Sequence, residues 1–372
     1  MPEESMEALV EKFRSAQRTR PDYPRRLLEL AAVVAQKQGM MAAYHLCREA
    51  IAESKGDPEI EIRAQRLASA LVAPYHVRMM NDPVRTAAWH RALTRAVRPG
   101  SHVLEIGTGG GLLAMMAARA GAGRVTTCER DPVLAALARE IVALNGYADR
   151  VVVIAKRSED LVVGADLERP AELLFGDIFG TDLLNFEPLA AIADARRRLL
   201  LPEAGAVPSA ATISLALAHW RGYRGIAQID RVDGFDFTPF QRVLPSDITL
   251  GIDDPELALR SAAAIAFRFD FGALIAAPEA ERARIPLEAS SDGVVNGIVQ
   301  WINLQLDGDT ALETRPGEGT PYFMGCRFYP LRAPLDLRKG DTLNVGAAHD
   351  GRRPIVWLDG RAKGRRKGGG CE

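Results

Sequence analysis

At 372 residues the chain exceeds the length of about 250–300 residues at which one hydrophobic core usually divides, so more than one packed unit is expected. Its 47 Lys and Arg nearly cancel 48 Asp and Glu, which leaves no overall field to draw in nucleic acid or a membrane surface; a charged partner must be recognised locally. Cys47, Cys128, Cys326 and Cys371 lie far apart with no Cys-x-x-Cys pair, which argues against a structural zinc site and a disulfide framework. No metal is expected, and the compartment reads as reducing. Met1-Pro-Glu-Glu-Ser does not open a leader peptide, and no apolar run approaches the ~20 residues needed to span a bilayer. The expectation is a soluble cytoplasmic protein.

From Arg25 to Leu71 the sequence has helical texture, with Leu27, Leu30, Ala31, Val34 and Ala35 on one face and Met41, Ala42, Tyr44, Leu46 and Ala50 on the next. Gly39 and Gly56-Asp57-Pro58 punctuate it. The pair resembles one tetratricopeptide-type hairpin; a single such unit would have to pack on the main domain, and an N-terminal helical cap is the plainer reading. Residues 1–73 are taken as this segment. Pro74 to Thr94 ends in a helix carrying Trp89 and leads towards the next strand, so Arg85 can present its planar fork to a ligand carboxylate.

His102 to Ile106 suits a buried strand, Gly107 to Gly111 a tight turn, and Leu112 to Ala120 a helix, the opening of a βαβ unit. Gly107, Gly109 and Gly111 allow positive φ and close approach of a ligand. A dinucleotide fingerprint would need glycine at Leu112, so the pattern that fits is Glu-x-Gly-x-Gly-x-Gly from Glu105 to Gly111. That pattern resembles the motif of class I S-adenosylmethionine methyltransferases. Val125 to Cys128 forms a second strand with Glu129 at its end, where a carboxylate can accept both ribose hydroxyls. Taken singly, Glu105 and Glu129 could equally be solvated loop charges.

Met80-Asn-Asp-Pro-Val-Arg-Thr86, with Glu105 to Ala117 following, resembles the protein arginine methyltransferases over roughly Pro74 to Leu358. The resemblance implies S-adenosylmethionine as cofactor, with His76, Met80 and Arg85 lining its pocket and Arg85 on its carboxylate. It places Ser158 and Glu159 beside the adenine. After the strand Ala171 to Phe175, family members carry a loop with two glutamates that grip the substrate guanidinium. Here that loop runs from Phe175 to Glu187 and most resembles the branch that adds a single methyl group. Asp177 falls at the first glutamate; the place of the second is Phe186, with Glu187 one residue later. Asp177, with Glu187 or Asp182 as partner, is the expected catalytic carboxylate set. Acids at a strand end could also be ordinary loop charges.

Arg196 to Pro208 reads as a helix followed by a proline and glycine connection, and the boundary between residues 74–207 and 208–359 is placed there. Strands are expected over Ala210–His219, part of Leu259–Phe271, Val294–Asp307, Tyr322–Tyr329 and Thr342–Asp350, as an antiparallel sandwich or barrel. The fold class is therefore α/β, a Rossmann-like methyltransferase domain followed by an antiparallel β-barrel or sandwich, with helices in front. The resemblance implies a dimerisation arm within residues 222–252, and hence a homodimer. It also puts Tyr322 at a histidine that supports the active site, although Tyr322 reads equally well as a core strand aromatic. The tail Gly360 to Glu372 is basic and reads as disordered and solvated, or else as able to touch nucleic acid or an acidic partner. The expected activity is methyl transfer to a protein or peptide arginine. A small amine acceptor and a non-catalytic cofactor-binding scaffold are the alternatives.

Overall fold

The computed structural model describes residues 6–37, 39–317 and 323–361. Tyr322 and all but the first two residues of the basic tail lie outside them. Four helices come first: α1 (Met6–Gln17), α2 (Tyr23–Gln36), α3 (Met40–Glu53) and α4 (Pro58–Ala70). Pro24 and Pro58 sit in the first turns of α2 and α4, where a missing N–H costs nothing, and Asp57 caps α4 by accepting from Glu59 N at 2.9 Å. The apolar stripes meet in a core of their own, with Leu27, Val34, Leu46 and Ala50 joined by Val10 from α1 and Ile60 from α4. Beyond the helix pair read from sequence, α1 and α4 add cover to this core.

Two helices lead to the first sheet, the short α5 (Tyr75–Met80) and α6 (Pro83–Ala96). Then follow β1 (His102–Ile106), α7 (Leu112–Arg119), β2 (Arg124–Cys128), α8 (Pro132–Leu144), β3 (Val151–Ile154), β4 (Ala171–Phe175), α9 (Pro188–Arg198) and β5 (Leu200–Val207). The five strands are all parallel, in the order β3-β2-β1-β4-β5. Strands β1, β2 and β4 are almost wholly buried, as a sheet covered on both faces requires. The four-helix unit touches this part through α3 and α8, where Arg48 pairs with Glu140 at 2.5 Å.

Strand β5 departs from the sequence reading, which saw a turn connection after the helix. Pro202 is tolerated because β5 is an edge strand and its ladder with β4 is irregular between Ala171 and Leu173.

The chain then enters antiparallel structure: β6 (Ala210–Trp220), α10 (Tyr223–Ala227), β7 (Arg231–Val232), β8 (Phe235–Asp236), β9 (Ile248–Leu250), β10 (Leu257–Leu259), β11 (Ala264–Asp270), β12 (Glu281–Glu288), β13 (Gly293–Gln305), β14 (Ala311–Glu313), β15 (Cys326–Leu337), β16 (Thr342–His349) and β17 (Pro354–Arg361). One sheet runs β10-β6-β13-β15-β9, with β11 also on β6 and β14 on β13; a second runs β12-β16-β17. They meet where β11 lies against β12 and β15 against β17. The apolar strands β6, β13 and β16 were legible in sequence. The outer strands β12 and β17 were not: β12 buries only Ile285 and Leu287 among charged residues. One hydrophobic core runs from the parallel sheet into the antiparallel ones. No helix among the described residues is long and apolar enough to cross a membrane.

Candidate active site

Strand order reverses between β1 and β4, so a crevice opens past their carboxyl ends, the usual ligand position in such sheets. The turn after β1 and the loop after β4 both end there. A cavity of about 1190 Å³ fills the crevice, closed on its other sides by α5, the segment Thr249–Asp253 and residues 323–325. That volume exceeds the ~300–1,000 Å³ of ordinary ligand pockets and has room for two ligands side by side.

At one end the backbone does most of the shaping. Gly107, Gly109 and Gly111 have φ of 84°, 52° and 80°, which a side chain would strain. Glu129 is buried, its Oε2 accepting from Gly109 N at 3.0 Å and its Oε1 from Asp131 N at 2.9 Å. Burial raises its pKa against those two backbone bonds. The carboxylate is thus locked at the lip of the turn with lone pairs left for hydroxyl donors. Ser158 and Glu159 stand across from it on a single turn after β3, and Ser158 Oγ donates to Glu159 Oε2 at 3.1 Å. Burial pushes the Glu159 pKa up, but its own backbone, Arg157 and Ser158 outweigh burial and hold it down. Arg198 at the end of α9 anchors this turn, donating to the carbonyls of Glu159 and Leu161 at 3.0 and 2.8 Å.

Glu105 lies beneath the turn, fully buried, with Oε2 accepting from Thr127 Oγ1 at 2.5 Å and Oε1 without a partner. Burial pushes its carboxyl up to about 8. His76 lines the cavity with its Nδ1 buried and unpartnered; burial lowers its pKa.

At the other end Asp177 lines the cavity and Arg85 sits one layer behind. Arg85 Nε donates to Asp177 Oδ2 at 2.5 Å, and Arg85 Nη1 and Asp177 Oδ1 are buried with no partner. Asp82 holds this end of α6: Oδ1 accepts from Arg85 N at 2.9 Å and Oδ2 from Phe323 N at 2.7 Å.

Among the sequence candidates, His76, Gly107, Gly109, Glu129, Ser158, Glu159 and Asp177 share the cavity wall. Met80 does not; Met79 takes that place and Met80 lies over Gly110, its Sδ 2.8 Å from where a Cβ would be. Asp182 folds the loop instead of lining it, its Oδ1 accepting from Leu184 N and Asn185 N at 3.1 and 3.0 Å. The loop closes tightly because Gly180 leaves room for the Asn185 side chain, which occupies the position of a Cβ. Glu187 caps α9 at φ 56° and faces outward to Arg352 at 3.0 Å. Sequence reasoning missed the cavity residues Tyr75, Asp82, Phe186 as a wall, and Asp253. The Asp-Pro pair at 82–83 is a helix-start signal that could have marked Asp82; nothing local marks Asp253. Among the described residues no group of His, Cys, Asp and Glu is placed to hold a metal ion.

Residues 86–195 match the family model for the ribosomal protein L11 methyltransferase (PrmA). An arginine N(omega)-methyltransferase of Streptomyces achromogenes subsp. streptozoticus is 33% identical over 279 residues, covering 75% of this chain and 76% of that one. Protein arginine N-methyltransferase 7 of Oryza sativa subsp. indica is 34% identical over 259 residues, 64% of this chain but only 36% of the rice protein, so the chain spans about a third of that relative. Two solved structures share the fold. The Trypanosoma brucei PRMT1 enzyme-prozyme heterotetrameric complex with AdoHcy has a TM-score of 0.68 at 23% identity, covering 78% of this chain and 94% of that one. Protein arginine methyltransferase 10 of Arabidopsis thaliana, in an open conformation, has a TM-score of 0.62 at 21% identity, covering 75% and 88%.

Proposed function

The chain belongs to the arginine N-methyltransferase family, and we propose that it places a methyl group from S-adenosylmethionine on an arginine guanidinium held at the Asp177 end of the cavity. The observation that carries this reading is the buried Arg85–Asp177 pair, in which each partner keeps one unpartnered polar atom. Unsatisfied buried groups of opposite sign call for ligands of opposite sign: an anion for Arg85 Nη1 and a cation for Asp177 Oδ1. The donor molecule has a carboxylate and the acceptor a guanidinium.

The residues present fit the donor. The positive-φ turn Gly107 to Gly111 gives a close backbone approach, Glu129 is oriented for ribose hydroxyls, and Glu159 with Ser158 suits an adenine edge. His76 and Met79 of α5 close over Gly109. When bound, S-adenosylmethionine supplies an electrophilic methyl group on a sulfonium. The chain's part is positioning and charge placement. Asp177 Oδ1 accepts from an acceptor N–H and turns the neighbouring nitrogen towards the donor, while Arg85 keeps Asp177 in one rotamer. Asp182 serves by shaping the loop. Glu187, on the outer face, is the weaker candidate for a second acid. Tyr322 remains a candidate on the family resemblance alone, at the place of the histidine that supports the active site.

A second acceptor reading, a free arginine or other small guanidine or amine, is favoured by Phe186, which stands where two-acid family members have a carboxylate. The division into residues 1–73, 74–207 and 208–359 is part of this reading, its second boundary supported by the change from parallel to antiparallel pairing after Val207. Residues 222–252 are read as a dimerisation arm because Ile226, Val232, Phe235, Phe237, Phe240 and Val243 are exposed there. Buried free thiols at Cys47, Cys128 and Cys326 support a cytoplasmic setting.

The test is direct: purified protein with methyl-labelled S-adenosylmethionine, L-arginine and arginine-rich peptides, followed by mass spectrometry. Label on peptide arginine supports a protein acceptor and label on L-arginine alone supports the small-molecule reading. No label on either rejects arginine, free or in a peptide, as the acceptor.

A further inference from the structure

Two aromatic rings stand half exposed inside the cavity, Tyr75 at 42% and Phe186 at 39%. Their centroids are 6.5 Å apart with the planes inclined at 32°. A flat group between the rings needs carbon contact distances of about 3.5 Å on either side, together slightly more than the centroid separation, so the two exposed rings must part a little to admit one. Phe186 already meets one guanidinium, that of Arg130, whose Cζ lies 5.9 Å from the ring centroid. Tyr75 and Phe186 line the same cavity as Asp177. Nothing in the packing requires these rings: α5 has no buried residue, and neither Tyr75 nor Phe186 belongs to the core. Two rings left open to solvent at one mouth, beside a carboxylate oxygen with no partner, point to a ligand.

We propose that Tyr75 and Phe186 form an aromatic slot that selects a planar cation, a guanidinium, at the acceptor end, with Asp177 as its single carboxylate anchor. This rests on the reading of the acceptor as an arginine-like guanidine. A flat delocalised cation can stack on both rings and still donate in its plane to Asp177 Oδ1; a tetrahedral ammonium can do only one of these well. Specificity would then come from shape and stacking, with less dependence on ionic strength than a pair of carboxylates would give.

The test uses full-length protein saturated with S-adenosylhomocysteine, so that binding does not depend on turnover. Calorimetry compares L-arginine with L-lysine, and an arginine-containing peptide with its lysine counterpart. The expected result is guanidine binding tighter than the matching amine, weakened about tenfold by Phe186→Leu and restored by Phe186→Tyr. S-adenosylhomocysteine affinity should stay within about twofold. Equal binding of guanidine and amine overturns the proposal, as does undetectable guanidine binding or an unchanged Phe186→Leu variant. A loss confined to S-adenosylhomocysteine also overturns it, because the rings would then cover the donor. Phe186 is half exposed, so circular dichroism should report a native fold in both variants. Methyl transfer measured in parallel separates the two claims: guanidine binding that follows the slot without any transfer rejects arginine methylation and leaves the slot standing.

Discussion

Arg85 Nε donates to Asp177 Oδ2 at 2.5 Å across 92 residues of sequence, and their side chains are 2% and 4% exposed. The pair joins the start of α6 to the loop after β4, with Asp177 on the cavity wall and Arg85 behind it. Taking two charges out of water is costly unless their remaining polar atoms are also satisfied. Here Nη1 and Oδ1 are not, and the proposed function rests on that.

Asp177→Asn should lower kcat/KM for methyl transfer by about 10²–10³-fold while leaving the protein folded, because the amide oxygen can still accept from Arg85. Asp177→Ala strands a buried guanidinium and should cost about 3–5 kcal/mol of stability. Steady-state kinetics and thermal melts of the two variants separate the roles. An Asp177→Asn enzyme with full turnover removes this carboxylate from the mechanism.

Glu105 gives a pH signature. Its carboxyl is pushed from 4.5 up to about 8 by burial, so the folded state keeps a proton that the unfolded chain releases. Stability from this group is therefore complete below about pH 4.5 and is lost as pH rises through about 8, at ~1.4 kcal/mol per pH unit within the window. Glu105→Gln, a permanent mimic of the neutral acid, should match the parent near pH 5 and melt above it at pH 8. Parallel melting curves over that range would contradict the assignment.

Asp82 ties the first turn of α6 to Phe323 by accepting from Arg85 N and Phe323 N. Asp82→Ala removes a helix cap and the tie to Phe323 N, at a cost of about 1–3 kcal/mol. Denaturant unfolding should register that loss, and a raised KM for the acceptor should accompany it as the segment at 323–325 loosens against the cavity.

The exposed apolar residues of the arm make a mass prediction. Phe235→Asp with Phe240→Asp should halve the mass seen by sedimentation if this surface binds a second copy. Both side chains are exposed, at 68% and 54%, so the fold itself should lose little stability, within about 0.5 kcal/mol per site.

What was readable in the sequence is what short-range chemistry dictates. The turn Gly107 to Gly111 needs positive φ at three positions, and only glycine adopts that without strain, so its conformation shows in five residues. Asp131-Pro132 marks the start of α8 in the same way, by a cap and a proline in the first turn. Strands β6, β13 and β16 were found because long apolar runs have few other uses. Strands β5 and β12 escaped because an edge position tolerates Pro202 and alternating charge, and an edge is defined by neighbours, not by the strand itself.

By itself, then, the sequence determined the family, the glycine turn after β1 and the acidic character of the loop after β4. Only the tertiary structure decided which acid faces the cavity. Asp177, Asp182 and Glu187 lie within eleven residues and look alike in sequence, yet one pairs with Arg85, one winds the loop and one points at Arg352. Met79 displaced Met80, and Tyr75 met Phe186, for the same reason. The direction of a side chain depends on the packing of segments about a hundred residues apart, which no local pattern encodes.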